Sequence, residues 1–404
     1  MINIALLGFG NIGSGTVEVL TENRIQIERY VGCPVNIKYI LDRRDFPDSP
    51  WKNRIIRNFD IILNDPEIKI VAEMLGGSHP AYEYTKAALM AGKHVVTPNK
   101  EVVAKFGAEL LDIAAKNGVR YLFEGSVGGG IPIIRPLIND LAANGIISIS
   151  GILNGTTNYI LTRMGRDNIG YSEALGEAQA LGYAEANPAD DVSGADAARK
   201  IVILAALAFG KLVNPDTIHT EGITGITQED IKTAAGFGCS IKLIAHTELV
   251  DGRVLAMVAP HFVGPENPLF GVNDVFNGIL VAGDLIGRVM FYGPGAGRLP
   301  TASAVVADIA DIAVNIGSSA RKLHWDPAKR DEVADFGNYS CRFCFIFSDV
   351  PGSVDMLGRS FGSLGNVLRE EGRIAFISEP MTEKEAGEKA AASGVPFIKR
   401  FRVL

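Results

Sequence analysis

Short apolar segments alternate with amphipathic segments along the first third of the chain. The apolar segments have the length of buried strands, and they read INIALL, VNIKYIL, IKIVAEML, HVV and VRYLF. Between them, segments such as HPAYEYTKAALMAG and GAELLDIAAKNG repeat apolar residues with helical spacing. An alternating order of strands and helices builds parallel strands joined by right-handed crossovers. The pattern therefore predicts an α/β domain with a doubly wound sheet over residues 1–130.

The pattern changes beyond residue 130. Residues 131–300 mix longer helices with hairpin-like strands, including a long apolar pair joined by an Asp-Gly turn, and we expect an α+β domain there. The spacing of TASAVVADIADIAVNIG predicts a helix over 301–317 that completes the first domain. Residues 318–335 are polar and lack periodicity, which indicates a linker. A new strand then begins residues 336–404, called the tail below, and we expect a separate small domain.

Composition narrows the function classes for these 404 residues. The formal net charge of −7 argues against nucleic acid and against an anionic membrane surface as partners. The longest apolar run, 201–209, is about half of the ~20 residues that a membrane-spanning helix needs. The 4 cysteines are too few for a disulfide scaffold of this size, and the first residues lack the features of a signal peptide. We expect a cytoplasmic protein.

A glycine-rich turn directly follows the first strand and opens a helix. Gly8, Gly10 and Gly13 form the pattern GxGxxG, in which glycines let the backbone approach a pyrophosphate and the helix N-terminus supplies N–H donors. The context predicts a Rossmann-type site for a dinucleotide. The second strand ends in Asp42 and Arg43, and these two residues leave the choice between NAD and NADP open. An aspartate suits the ribose hydroxyl of NAD, whereas an arginine suits the 2′-phosphate of NADP.

Two opposite charges stand at the beginning of the most apolar helical segment. Asp196 and Lys200 are four residues apart, so they share one helix face, and IVILAALAF follows them. Because burying an ion without a partner is costly, the pair is either a structural ion pair or a functional site. Carboxylates just upstream, among them Glu185 and Asp191, favour a site. A lysine held in this way suits the proton transfer that accompanies carbonyl reduction.

Six motifs make roughly the first 320 residues similar to homoserine dehydrogenases. They are the turn at Gly8, TPNKE at 97–101, EGSVGGGIPII at 124–134, GILNGTTNYIL at 151–161, GYAEANPADDVSGADAARK at 182–200 and GPGAGRLPTASAV at 293–305. The resemblance implies a reversible NAD(P)-dependent interconversion of L-homoserine and L-aspartate 4-semialdehyde, in the biosynthesis of threonine, methionine and isoleucine. It also implies a homodimer joined through the substrate-binding domain at 131–300.

The resemblance assigns roles to individual positions. Lys200 matches the proton-transferring lysine, Asp196 holds that lysine, and Lys100 acts at the nicotinamide and the substrate. The substrate-binding positions are Thr156, Gly182, Glu185, Asp191 and Asp196. The cofactor-binding positions are Gly8, Gly10, Asn11, Ile12, Gly13, Asp42, Arg43, Gly76, Thr97, Lys100, Gly182, Glu185 and Gly297. A sodium ion held by a carboxylate and backbone carbonyls is implied at Glu124, Val127, Gly129 and Ile131.

The tail resembles an ACT-like domain, with elements in the order βαββαβ. Its weakest element is the second strand, because GNVLREEG is short and charged. Such domains resemble receptors for small amino acids, and the turn at 349–352 together with Asn366 would receive the carboxylate and ammonium of an effector. We expect that effector to be threonine. A purely structural dimerisation module is the alternative for the tail.

Two other functions compete with the enzyme as a whole. A non-catalytic NAD(P)-sensing protein with an amino-acid-binding tail would not need Lys200 and its carboxylates. Another oxidoreductase of small carbonyl acids would need a cysteine nucleophile or a histidine base. Cys33 and Cys239 do not lie in the sequence context of a catalytic cysteine. None of the histidines is placed with a carboxylate that would orient it as a catalytic base. The resemblance therefore favours homoserine dehydrogenase.

Overall fold

The computed structural model describes residues 1–318 and 323–404, which fall into two compact units. The first unit comprises Met1–Gly145, Val202–Pro215 and Phe291–Ala328. The second unit comprises Ile146–Ile201, Asp216–Met290 and Lys329–Leu404. The divisions after Gly145 and before Phe291 lie near the boundaries expected at 130 and 300. The tail is grouped with the second unit, and its buried residues, such as Phe345 and Phe376, form an apolar cluster of their own.

The strands and α-helices of the described residues are numbered in chain order. The strands are β1 Ile2–Leu7, β2 Val35–Leu41, β3 Ile55–Ile56, β4 Ile68–Glu73, β5 His94–Val96, β6 Tyr121–Leu122, β7 Ile146–Ile152, β8 Lys211–Leu212, β9 His219–Thr220, β10 Ser240–Val250, β11 Arg253–Val263, β12 Phe276–Gly283, β13 Gly287–Pro294, β14 Asp326–Pro327, β15 Ser340–Ser348, β16 Val367–Glu370, β17 Arg373–Ile377, β18 Met381–Thr382 and β19 Phe397–Val403. The helices are α1 Asn11–Glu22, α2 Arg24–Val31, α3 Phe59–Asn64, α4 Ala81–Met90, α5 Lys100–Lys116, α6 Gly155–Asp167, α7 Tyr171–Ala180, α8 Ala189–Val192, α9 Ala195–Phe209, α10 Gln228–Gly236, α11 Arg298–Val314, α12 Ser353–Phe361 and α13 Glu383–Ala392. Within the described ranges, no helix combines the length and the hydropathy that a bilayer span requires.

Parallel strands form the sheet of the first unit, in the order β3-β2-β1-β4-β5-β6. This is the order of a doubly wound dinucleotide-binding sheet, so the alternating sequence pattern indicated the correct fold class. The pattern did not indicate β3, because a strand of two residues has no periodicity to detect. The carboxyl ends of β1, β4 and β5 lie at one edge of the sheet, where folds of this kind bind their ligands.

Helix α11 joins the core of the first unit although it comes from a distant part of the chain. Ile309 and Ile312 are buried in one apolar cluster with Ile4, Val17 and Ile70. The helix spans Arg298–Val314 and not the expected 301–317. It begins three residues earlier than expected, directly after Gly297. Its burial explains the helical spacing that the sequence showed in this region.

A long antiparallel hairpin is the centre of the second unit. Strands β10 and β11 pair over eleven residues each, and the turn between them is Asp251–Gly252. Both turn residues have positive φ, 51° and 73°, which matches the strand twist as a type I′ turn does. The main path of the sheet has the order β13-β12-β7-β10-β11-β19-β15-β17-β16, and the short strands β9 and β18 pair with β11 and β15 beside this path.

The tail contributes strands to that same sheet. Its elements follow the expected order β15, α12, β16, β17, α13 and β19, with the short β18 added before α13. Strand β19 lies between β11 and β15; it is parallel to β11, where Phe262 faces Val403, and antiparallel to β15. The tail therefore does not form an independent sheet, because one of its strands pairs with the central hairpin.

The linker expected at 318–335 falls partly outside the described residues, since 319–322 are not described. In the described part, β14 pairs with β8, and Val333 forms a bridge with Val254. Further along the chain, the N–H of Ala334 donates to the carbonyl of Val254 at 2.9 Å. The described part of this segment thus forms regular hydrogen bonds in both units.

The position of β19 predicts that Phe401→Ala destabilises the second unit strongly. Phe401 is 3% exposed and stacks on the buried ring of Phe262 with 4.9 Å between centroids. Truncating a buried phenylalanine costs about 3–5 kcal/mol. Urea unfolding followed by circular dichroism measures the loss. Phe397→Ala on the same strand is the control, because Phe397 is 43% exposed and should lose about 1 kcal/mol or less. Equal losses in the two variants would contradict the central role of β19.

Candidate active site

The turn between β1 and α1 requires glycine at two positions. A methyl group added at Gly8, whose φ is +100°, would lie 2.8 Å from the carbonyl oxygen of Met74. A methyl group added at Gly13 would lie 2.0 Å from the carbonyl oxygen of Gly8. The close packing of strand, turn and helix leaves the first backbone N–H groups of α1 at the end of β1. This is the arrangement in which doubly wound folds bind a pyrophosphate.

A cavity of about 550 Å³ lies beside this turn in the first unit. Five of the predicted cofactor residues line it: Gly8, Gly10, Asp42, Arg43 and Gly76. The other predicted positions of the first unit are not in this lining: Asn11, Ile12 and Gly13 are in the first turn of α1, Thr97 and Lys100 are around the start of α5, and Gly297 is directly before α11. Gly182 and Glu185, which were also predicted to contact the cofactor, belong to the second unit.

Arginine side chains give the cavity a positive lining. Arg44 donates to both carboxylate oxygens of Asp42, from Nε at 3.0 Å and from Nη2 at 2.9 Å. The N–H of Phe9 donates to the same carboxylate at 2.8 Å. The hydrogen bond from Arg44 holds the pKa of Asp42 well below its usual range. Arg44 was not among the predicted site residues, since the prediction for the end of β2 concerned Asp42 and Arg43.

A buried glutamate, also missed, connects the ends of β4 and β5. Glu73 accepts hydrogen bonds from the hydroxyl of Thr97 and from the N–H of Leu75, each at 2.7 Å. The hydroxyl of Thr97 in turn accepts from the N–H of Asn99 at 2.9 Å. Burial raises the pKa of Glu73, against the opposing effect of these donors. Because Asn99 caps α5, this network fixes the helix start at which Lys100 lies.

The predicted pair of Asp196 and Lys200 is buried in the second unit. The side chain of Lys200 donates from Nζ to Oδ2 of Asp196 at 2.8 Å and to the carbonyl oxygen of Leu153 at 2.7 Å. Lys200 is 7% exposed and Asp196 is 3% exposed. The two side chains share one face of α9, as the spacing predicted, and the carbonyl at the end of β7 orients the ammonium group.

Asn154 brings the predicted carboxylates together. Its Nδ2 donates to Oδ1 of Asp191 at 2.7 Å and to Oδ2 of Asp196 at 2.9 Å. Its Oδ1 accepts from the N–H of Thr157 at 2.9 Å and so caps α6. The sequence motif at 151–161 contains Asn154 but did not indicate its role. An asparagine between a strand and a helix was the available signal.

Thr156 and the loop at 182–185 lie on the same side of the second unit. The hydroxyl of Thr156 donates to the carbonyl oxygen of Tyr183 at 2.6 Å. Gly182 and Glu185 are exposed, whereas Thr156 is buried. The contact attaches the exposed loop to the N-terminus of α6. Among the predicted substrate-binding positions, Asp191 and Asp196 are thus joined through Asn154, and Thr156 contacts the loop that contains Gly182 and Glu185.

The loop expected to hold sodium is built around a carboxylate that is already hydrogen-bonded. Oε1 of Glu124 accepts from the N–H groups of Ile133 and Ile134 at 2.6 and 2.8 Å. Oε2 accepts from the N–H and Nε of Arg135 at 2.9 and 3.3 Å. With four donors around it, this carboxylate does not fit the expected role of cation ligand. Backbone carbonyl oxygens of the loop fit that role better, as hard oxygen donors.

Comparisons with known proteins match the chain over nearly its whole length. The family model described as "Homoserine dehydrogenase, NAD binding domain" matches residues 8–124, and the model described as "Homoserine dehydrogenase" matches residues 132–310. A homoserine dehydrogenase from Synechocystis sp. is 41% identical over 394 residues, which cover 93% of this chain and 90% of that protein. The crystal structure of a homoserine dehydrogenase from Thiobacillus denitrificans superposes with a TM-score of 0.91 at 33% identity and covers 100% of this chain and 98% of its own. A hyperthermophilic archaeal homoserine dehydrogenase in complex with NADPH has a TM-score of 0.67 at 26% identity, covering 80% of this chain and 99% of its own.

The glycine turn, the parallel sheet and these matches define an NAD(P)-dependent oxidoreductase that acts on a CH–OH group. The chain belongs to the homoserine dehydrogenase family. Its substrates are accordingly L-homoserine and L-aspartate 4-semialdehyde, which places the reaction in amino-acid biosynthesis. The alternative of a non-catalytic NAD(P) sensor is not favoured.

Proposed function

We propose that Lys200 transfers the proton in this reaction and that Asp196 and Leu153 hold it in position. The observation that carries the proposal is the buried contact of Nζ with one carboxylate and one carbonyl. When bound, the nicotinamide cofactor supplies or accepts the hydride at the substrate carbon. As the aldehyde is reduced, its oxygen gains negative charge, and a positioned N–H of Lys200 provides the proton. In the opposite direction the amine accepts the hydroxyl proton.

Asp191 and Glu185 would bind the ammonium group of the substrate. An exposed carboxylate at Glu185 and a carboxylate at Asp191 oriented by Asn154 support this assignment, because a cationic group needs anionic partners. Thr156 and Gly182 would shape the same loop. Lys100 would act at the reacting centre from the start of α5. Its place after the carboxyl end of β5 is where folds of this type bind their ligands.

The cofactor we propose is NADP in preference to NAD. Asp42 is the residue that would select the ribose hydroxyl of NAD, yet its carboxylate is neutralised by Arg44. Arg43 lines the same cavity, and Arg57, which pairs with Asp45, lines it as well. A positive lining favours a 2′-phosphate, for which arginine offers matching donors.

The remaining cofactor and assembly proposals follow from the resemblance. Sodium would bind to backbone carbonyls among Glu124, Val127, Gly129 and Ile131, and a rate that depends on the monovalent cation present would be its signature.

The homodimer is supported by apolar side chains exposed around the β12–β13 turn, namely Leu285 and Ile286. Light scattering at micromolar concentration measures that state. Free thiols at Cys33, Cys239, Cys341 and Cys344 suit a reducing compartment such as the cytoplasm.

The tail would act as an ACT-like regulatory domain that binds threonine. Support comes from the order of its elements and from the turn that precedes α12. There Asp349 pairs with Arg369 through two contacts of 2.8 Å and accepts from the hydroxyl of Ser353 at 3.0 Å. An effector's ammonium group would compete with Arg369 for this carboxylate. A purely structural role for the tail remains the alternative.

Lys200→Met should fold normally and lose activity. The substitution keeps the apolar stem but removes the proton donor, and general acid–base groups contribute ~10²–10⁴-fold to kcat. Steady-state assays at 340 nm measure kcat, and fluorescence titration checks that NADPH still binds. Lys232→Met on α10 is the control, since Lys232 forms a partly exposed pair with Glu371. A Lys200→Met enzyme with near-normal kcat would refute the assignment.

Arg43→Ala should weaken NADP⁺ binding selectively. Losing a hydrogen bond to a charged group costs ~1.5–3 kcal/mol, so KM for NADP⁺ should rise about tenfold or more while KM for NAD⁺ stays nearly constant. Arg44→Ala should have the same direction of effect and should also free Asp42 to accept the ribose of NAD⁺. Arg29→Ala on α2 serves as a control for total charge. If the unmodified enzyme already prefers NAD⁺, Asp42 dominates and the NADP proposal is wrong.

Millimolar threonine should inhibit the intact enzyme. An effector coupled to the substrate site by ~1–3 kcal/mol changes affinity about 5–150-fold. Asp349→Ala should weaken this inhibition, whereas Asp355→Ala on the exposed side of α12 should retain it. Deleting the tail is a poor test, because the deletion would also remove β19 from the main sheet. The structural alternative holds if threonine neither slows the enzyme nor raises its melting temperature.

A further inference from the structure

The guanidinium of Arg402 connects the tail to the rest of the second unit. Arg402 lies on β19 and is 4% exposed. Its Nε donates to Glu383, and its Nη2 donates to Oε1 of Glu221 at 2.9 Å. Glu383 begins α13 of the tail, whereas Glu221 directly follows β9 and precedes the tail by more than a hundred residues. One buried side chain therefore joins two segments that are far apart in sequence.

His219 strengthens the same junction. Its Nε2 lies 2.5 Å from Oε1 of Glu221 and 3.3 Å from Nη2 of Arg402. The imidazole ring stacks on Phe336 of the tail, with 3.7 Å between centroids and 9° between planes. Arg402 lies over the same phenyl ring at 5.1 Å. The side chain of Glu221 is thus held by a cation and an imidazole with an aromatic ring beneath both, while its backbone N–H donates to the carbonyl oxygen of Val258 on β11 at 2.8 Å.

The segment that follows Glu221 packs directly on the turn between α8 and α9. The N–H of Ile223 donates to the carbonyl oxygen of Val192 at 2.9 Å. A methyl group added at Gly222 would lie 2.2 Å from that oxygen, and one added at Gly194 would lie 3.3 Å from the carbonyl oxygen of Glu221. Backbone touches backbone here without spare volume. A shift of the segment 221–223 must therefore move the turn at 192–194.

That turn separates the two aspartates of the substrate site. Asp191 lies in α8 just before it, and Asp196 lies in the first turn of α9 just after it. Their oxygens must remain close enough for Asn154 to bridge them at 2.7 and 2.9 Å. We infer that Arg402 is a positioning residue for substrate binding, which acts through Glu221 to set the spacing of Asp191 and Asp196. The inference rests on the substrate-binding role proposed for those two aspartates.

The test compares the KM for homoserine with kcat and with cofactor binding. In Arg402→Met the long stem remains, but the contacts with Glu221 and Glu383 are lost. KM for homoserine should rise about 5–50-fold, because small misplacements of binding groups have large kinetic effects. The value of kcat should change less, and the dissociation constant of NADP⁺ should stay within about twofold. Glu221→Gln, at a partly exposed position, should shift KM in the same direction and covers the case that Arg402→Met does not fold.

Arg400→Met is the matched control. Arg400 lies on the same strand and donates to the other oxygen of Glu383 at 2.8 Å, and its guanidinium lies over the ring of Phe343. It should leave KM for homoserine within about twofold. Arg402→Lys should rescue part of the affinity, since it restores the charge without the forked geometry.

Two outcomes would overturn the inference. Unchanged KM for homoserine in both Arg402→Met and Glu221→Gln would show that the junction only stabilises the fold. A parallel rise of KM for homoserine and of the NADP⁺ dissociation constant would show general loosening. The variant Asp191→Asn tests the substrate-site proposal separately from the positioning inference. If Asp191→Asn raises KM for homoserine while the Arg402 and Glu221 variants do not, the positioning inference alone is wrong.

Discussion

The buried ammonium of Lys200 is the constraint on which the substrate side of the second unit depends. An ion removed from water must be compensated by charge or hydrogen bonds, and here one carboxylate and one carbonyl do so. The carboxylate comes from α9 and the carbonyl from the residue after β7, so a helix and a sheet are fixed to each other at one nitrogen atom. Asn154, the next residue, extends this arrangement to both aspartates. The charge of Lys200 thus fixes Asp196 directly, and Asn154 connects Asp191 to that pair.

The local features of the fold could be predicted from the sequence because they depend on neighbours in the chain. The i, i+4 spacing of Asp196 and Lys200 placed both on one helix face, and the structure has them 2.8 Å apart. The Asp-Gly dipeptide predicted the turn at 251–252, which needs two residues that tolerate positive φ. The alternation of apolar and amphipathic segments predicted the doubly wound sheet, since each strand is followed by its own crossover.

The features that escaped prediction depend on residues that meet only in the folded chain. Asn154 contacts partners about 40 residues away, and its role becomes visible only when α8 and α9 return to β7. Arg44 is an exception, because it is only two residues from Asp42; either Arg43 or Arg44 could have paired with that carboxylate, and the backbone conformation after β2 decides that Arg44 does. The insertion of β19 beside β11 was also unpredictable, because strand pairing across a large sequence separation leaves no local pattern. The tail therefore looked like a separate domain in the sequence, although its strand lies inside the main sheet.

The position of β19 has a consequence for the synthesis of the protein. Phe262 of β11 pairs with Val403, about 140 residues later. At translation rates of roughly 5–20 residues per second, the ribosome needs about 7–28 s to make the intervening chain. During that time the edge of β11 has apolar neighbours but lacks its permanent partner strand, and unpaired strand edges of this kind recruit other chains. The last residues of β11, His261 and Phe262, therefore lack this partner until residues 397–403 have emerged, and we expect this interval to be the stage at which the nascent second unit is most exposed to pairing with other chains.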